Sequence, residues 1–182
     1  MKKINGMHMN KVIFILLTLF SFSALANSVL SMKERSALID TILEQRFSDV
    51  LPEIMEREGI DMWVLMSREY NEDPVLKTML PSTWLAARRR TMLVIYNPGD
   101  GRPLEKLAVA RYAVGSLFEK AWDKEAQPDQ WQALKHIIES RNPTKIAINT
   151  SDAFALADGM TSTEYNRFMA TLSDEFKRRV VS

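Results

Sequence analysis

The chain reads as an α/β domain, a mixed β-sheet flanked by helices, following a signal peptide. Three observations predict this fold. In Leu51–Pro74, LPEIMEREGIDMWVLMSREYNEDP, an amphipathic helix runs into Gly59, then into the apolar run Met62–Met66, then into the charged loop Ser67–Asp73. A run without polar alternation has to be covered on both faces, as a central strand of an α/β sheet is. Next, Thr91–Tyr96 and Lys106–Arg111 flank Asn97-Pro98-Gly99-Asp100-Gly101-Arg102-Pro103. That turn chemistry predicts an antiparallel hairpin, so the sheet is mixed. Finally, segments with apolar residues at helical spacing alternate with these strands.

The elements follow in order. Ser31–Phe47 carries Leu38, Ile39, Ile42, Leu43 and Phe47 as a helical stripe. Ser48-Asp49 and Pro52 interrupt it, because proline lacks a donor and clashes with the preceding turn, though it is tolerated in a first turn. A second helix is therefore predicted from Ser48 or Asp49, with Val50, Ile54 and Met55 on its buried face and Gly59 as its stop. Val75–Leu80 reads as a short helix or turn closed by Pro81. Trp84–Arg90 leads into the second strand. Val114–Lys124 carries no clear signal. Asp129 is placed to cap a helix over Gln130–Ser140, with Trp131, Leu134, Ile137 and Ile138 on one face. Asn142-Pro143 ends that helix, and Lys145–Asn149 is a fourth strand. Asp158-Gly159 is a turn. Thr161 or Ser162 caps a last helix running to Lys177-Arg178-Arg179, with Glu164 in its first turn and Tyr165, Phe168, Met169, Leu172 and Phe176 inside.

Composition bounds what this domain does. Its 182 residues are 46% hydrophobic and 26% charged, with a formal net charge of +1. This is globular and not disordered. It gives no basic surface for nucleic acid or anionic lipid. The absence of cysteine excludes disulfides, zinc-thiolate sites and cysteine nucleophiles. At the start, Lys2, Lys3 and Lys11 precede Val12–Phe22, VIFILLTLFSF, and Ala24-Leu25-Ala26 follows. This is a secretory signal peptide over residues 1–26. Its apolar run is too short for a comfortable membrane span, so no stable span is expected after cleavage. Met1, Met7 and Met9 are alternative starts. The mature domain, 27–182, is expected to be exported, most simply to a bacterial periplasm.

Complete catalytic sets are missing. Only His8 and His136 exist, and His8 lies in the leader. Without HExxH or a second histidine, His136 reads as a surface residue of its helix, and no metal or catalytic residue is assigned. There is no G-x-S-x-G elbow and no glycine-rich phosphate loop. What remains is Arg68–Asp73, on the loop after the first strand, with the acids Glu69, Glu72 and Asp73. Ligand groups favour such loops at the C-terminal ends of strands. A self-sufficient hydrolase using those acids stands as a minor possibility beside a plain solvated loop. Arg88-Arg89-Arg90 reads either as a carboxylate clamp or as a solvated edge with its stems packed down.

EREGIDMWVLMSREYNEDP, then TMLVIYNPGDG, then KIAINTSDAFALADGMT, together resemble the N-terminal domain of the creatinase/prolidase family, nearest its bacterial Xaa-Pro aminopeptidase-like members. The resemblance covers about Ser31 to Ser182. It implies a small non-catalytic α/β module that contributes to a substrate pocket and to dimer contacts. Arg68, Tyr70 and Asn71 occupy the loop expected to bind substrate. It also implies a separate pita-bread catalytic domain holding two divalent metal ions, whose ligand motifs do not occur in this sequence. No cofactor is therefore expected in this chain, which is read as a truncated product or fragment. Its implied partners are that catalytic domain or a second copy, with proline-containing peptides as substrate of the parent. The alternative is a free-standing periplasmic binding module derived from the same domain.

Overall fold

The computed structural model describes residues 29–182. The signal peptide assigned to residues 1–26 lies outside them. The chain divides into two compact units, Met1–Leu38 and Ile39–Ser182. Helix α1 (Met32–Gln45), which begins in the first unit and ends in the second, opens on a reciprocal cap. Ser31 N–H donates to Glu34 Oε2 at 2.8 Å, and Glu34 N–H donates to Ser31 Oγ at 3.3 Å. Two N-terminal donors that the helix cannot satisfy internally are thereby paired.

The second unit is built on a six-stranded sheet of order β4-β3-β2-β1-β5-β6. Its strands are β1 (Met62–Arg68), β2 (Arg90–Tyr96), β3 (Glu105–Val109), β4 (Glu119–Lys120), β5 (Ile146–Ala147) and β6 (Val180–Val181). The central β1 pairs antiparallel with β2 along its whole length, from Met62 opposite Tyr96 to Arg68 opposite Arg90. On its other side it pairs parallel with β5. β2 and β3 form the expected antiparallel hairpin, whereas β3–β4 and β5–β6 are parallel. The mixed sheet flanked by helices is thus present. The third strand begins one residue before the expected Lys106 and ends two before Arg111. The fourth is shorter than Lys145–Asn149.

Alternating side chains of the sheet enter two cores. Trp63, Leu65, Leu93, Ile95 and Ala108 meet the helices that precede β1, joined by Phe118 edge-on to Phe47. Met62, Val64, Met66, Met92, Val94 and Val109 meet α4 (Gln130–Arg141), α5 (Ser162–Thr171) and α6 (Asp174–Lys177). Each fully buried aliphatic or methionine side chain contributes about 1.5–3 kcal/mol of transfer free energy. Val114 and Phe118, in the segment without a sequence signal, bridge to each other and are wholly buried, delivering the chain to β4.

Three expectations are corrected. The chain is not broken at Ser48-Asp49. A π-helical stretch, Arg46–Val50, joins α1 to α2 (Leu51–Glu58). There Leu51 N–H bonds back five residues to the Arg46 carbonyl. The wider turn accommodates Pro52, which has no N–H to give and whose ring crowds a tight α-turn. It also shifts the helical phase. Leu43, Phe47, Leu51 and Met55 face the sheet, while Val50 and Ile54, expected inside, are exposed; Leu38, Ile39 and Ile42, before the stretch and also expected inside, are exposed as well. The last helix is two helices, since Leu172 leaves helical geometry and Ser173 caps α6. Finally, Tyr165 points outward, and Glu164 takes the inward position.

Several predicted caps hold. Asp129 accepts from Trp131 N–H, Thr161 accepts from Glu164 N–H, and Gly59 ends α2 at φ 62°. The carboxylate of Asp61 fixes the start of the parallel pair, accepting from Thr144 N–H at 2.6 Å and Lys145 N–H at 2.8 Å. No helix among the described residues is long and apolar enough to cross a membrane.

Candidate functional site

The loop after β1 lies at the strand's C-terminal end and is fastened from three sides. Its base is closed by Asp73 N–H donating to Ser67 Oγ at 2.8 Å. Its tip is a tight turn in which Asn71 N–H donates to the Arg68 carbonyl at 3.0 Å. That turn holds Tyr70 at φ 70°, in the left-handed region. A bulky side chain there carries roughly 1–3 kcal/mol of strain. Glu72 Oε1 accepts from Tyr70 N–H at 3.2 Å and helps to hold this conformation. On the third side, Glu69 N–H donates to the Arg89 carbonyl at 2.6 Å, and Arg89 N–H returns a bond to Glu69 Oε2 at 3.1 Å. Arg89 is itself left-handed, at φ 56°.

Asp73 is the anchor beneath this loop. It is 1% exposed and caps helix α3 (Pro74–Thr78), its Oδ1 accepting from Val75 and Leu76 N–H at 2.6 and 3.2 Å. Its Oδ2 accepts from Asn149 Nδ2 at 2.7 Å, and Asn149 Oδ1 accepts from Trp63 Nε1 at 2.9 Å. Gly159 lies so close that a Cβ there would sit well short of van der Waals contact distance from the Asp73 carboxyl.

At the same end of β1 lies a partly buried charge cluster. Arg68 and Arg90 face each other across β1 and β2, and like charges in that position repel. Glu164, 1% exposed on α5, answers both. Its carboxylate takes Arg90 through two bonds of 2.7 and 3.1 Å, and Arg68 Nε lies 3.4 Å away. The fork-to-fork pairing fixes Arg90 in orientation as well as position. Arg90 also lies over the Trp131 ring at 5.2 Å. Gln130 Nε2 donates to the carbonyls of Arg90 and Val109, tying α4 to the same corner.

Each residue singled out in the sequence can now be located. Arg68, Tyr70 and Asn71 share one turn. Arg68 is partly engaged by Glu164, Asn71 is exposed, and Tyr70 is 92% exposed. Glu69, Glu72 and Asp73 each accept from backbone N–H groups nearby, which fastens the loop and does not aim two acids at one bond. The arginine run splits by role. Arg88 stacks over Trp84 at 5.2 Å, Arg89 supplies backbone to the loop, and Arg90 enters the buried cluster. His136 is exposed on α4 beside a shallow depression of about 240 Å³. Among the described residues no group of three or more His, Cys, Asp or Glu could hold a metal ion.

Sequence reasoning missed Ser67, Asn149, Gly159 and the burial of Glu164. Glu164 stands three residues after a threonine cap, where a glutamate usually bonds back to the cap. Only the strand register, which sets two arginines face to face, signals that a buried acid is needed. Comparison of the chain with protein-family models, with curated proteins and with solved structures found no match.

Proposed function

We propose that this chain is the non-catalytic N-terminal domain of an exported Xaa-Pro aminopeptidase-like metallopeptidase of the creatinase/prolidase type, in which the Arg68–Asp73 loop binds. The observation that carries the reading is Tyr70. A large aromatic ring stands almost fully in solvent, on a strained backbone held by Ser67, Glu72, Asp73 and the Arg68–Glu164–Arg90 cluster. Strain kept in place by so many bonds marks a segment shaped for contact. A rigid aromatic loses little conformational freedom when it is covered.

The fold supports the reading at its coarser level. The three stretches that carry the family resemblance fall on α2–β1 and its loop, on β2 and the hairpin turn, and on β5 with the segment leading to α5. In this reading Arg68, Tyr70 and Asn71 meet proline-containing peptides in company with a pita-bread domain or a second copy. The two divalent metal ions belong to that catalytic domain. Among the described residues no cluster of three or more histidine or carboxylate side chains fits them, and no step is assigned to this chain. The lysine-flanked apolar leader and Ala24-Leu25-Ala26 support export to a periplasm.

The test is an assay of the purified mature chain on Xaa-Pro peptides with manganese, cobalt or zinc. The expected result is no turnover and no metal-induced rise in melting temperature, because only a ligand of the native state shifts stability. Metal-dependent cleavage that co-purifies with the chain contradicts the proposal. Periplasmic protein whose amino terminus is Asn27 is the expected result for export, and an unprocessed cytosolic chain opposes it.

A further inference from the structure

The helical segment in front of β1 carries more apolar surface than the sheet covers. Leu43, Phe47, Leu51 and Met55 form its buried line. One position back from these, about 100° round the helix, runs a second line made of Ile42, Val50 and Ile54, with Ile39 one turn earlier. These four side chains are 37–49% exposed. Arg46, which falls within this line, sends its guanidinium to the Thr78 carbonyl. The π-helical stretch keeps Val50 and Ile54 in register with Ile42, since its wider turn absorbs the extra residue.

The line ends in a groove. Ile54 forms a groove of about 210 Å³ with Leu51, Ile60, Trp63, Ala147 and Ile148. Of the polar groups beside it, Trp63 Nε1 is engaged by Asn149 and the Asn149 amide by Asp73, while Ser182 stands at its rim. The groove therefore suits an apolar side chain of leucine or phenylalanine size. Its surroundings are acidic. Asp49 and Glu53 flank the exposed line on its outer side, and Asp40–Glu58 holds six carboxylates against two arginines.

We propose that this line and groove are a docking surface for a basic amphipathic helix of a partner protein. Aliphatic residues of the partner lie along Ile42, Val50 and Ile54, one larger apolar side chain fills the groove, and lysines or arginines meet Asp49 and Glu53. A second copy of this chain does not suit the surface, because two acidic helices would then face each other. The surface is separate from the Tyr70 loop and does not depend on the role proposed for it.

The test uses the full mature chain and two designed helical peptides, one of leucine and lysine only, the other of leucine and glutamate. Binding is followed by calorimetry and by tryptophan fluorescence, which Trp63 in the groove wall reports. The lysine peptide is expected to bind and the glutamate peptide not to. Ile54→Asp and Val50→Asp, both at exposed positions, are the decisive variants, with circular dichroism as the check on folding. Each adds negative charge, so attraction by charge alone predicts tighter binding of the lysine peptide. Docking on the apolar line predicts weakening of about tenfold or more. Tighter or unchanged binding by both variants overturns the proposal, as does equal binding of the two peptides or no binding of either. A concentration-dependent dimer of the chain that Ile54→Asp abolishes also overturns it, by assigning the surface to a second copy.

Discussion

Individual residues hold the candidate site in place, and three of them give sharp tests. Gly159 touches the Asp73 carboxyl, so Gly159→Ala forces the anchor of the loop to move. A loss of about 2 kcal/mol, typical of overpacking, is expected in denaturant unfolding. Glu164→Gln keeps the shape of the buried cluster but leaves Arg68 and Arg90 facing each other without a counter-charge. With Arg68 45% and Arg90 24% exposed, water takes up part of the lost pairing, and a cost of about 1–2 kcal/mol is expected. A change below about 0.5 kcal/mol would mean that solvent already neutralises the two arginines. Tyr70→Gly acts in the opposite direction. Glycine adopts φ 70° without strain, and the ring it removes packs on almost nothing. Stability is expected to stay level or to rise by up to about 1 kcal/mol. A clear fall would show that the ring supports the fold.

At the scale of elements, legibility followed how local the determinants are. Asp129, Thr161 and Gly59 act within a turn of themselves, and the helix limits they set were readable in the sequence. Met62–Met66 was readable as a central strand because two-sided burial leaves no polar alternation. The π-helical join was not, because a proline after Ser48-Asp49 suits a helix start as well as a widened turn. That one insertion moved Val50 and Ile54 from the expected core to the surface. β4 and β6 are two-residue strands whose pairing comes from distant segments, so their own sequence says little. The candidate loop was found from its position after β1. Its fastening was not, since Asn149, Gly159 and Glu164 reach it from far along the chain. The cap of α1 carries a pH signature. The hydrogen bond from the Ser31 side chain, then that from its backbone, holds the Glu34 carboxyl below its ordinary range. A carboxyl lowered in the folded state supports the helix above the ordinary carboxylate range, and that support is lost as pH falls through the lowered value. Protection of the Met32–Arg35 amides relative to their intrinsic exchange rates is expected to fall in acid, and Ser31→Ala is expected to remove that dependence.

The second unit is an α/β sheet covered on both faces, whose central strand delivers one firmly fastened turn to the surface. Asp73, at the cap of α3, and Glu164 on α5 supply its fasteners. The proposal that the Arg68–Asp73 loop is a peptide-contacting element therefore stands or falls on where a ligand is felt. The direct measurement is an NMR titration of the isotope-labelled mature chain with an Xaa-Pro tripeptide, followed residue by residue. The account predicts shifts concentrated at Arg68–Glu72 and at Arg89 across the loop, and their loss in Tyr70→Gly while the rest of the spectrum is kept. Shifts centred elsewhere, or none at millimolar peptide, would contradict it.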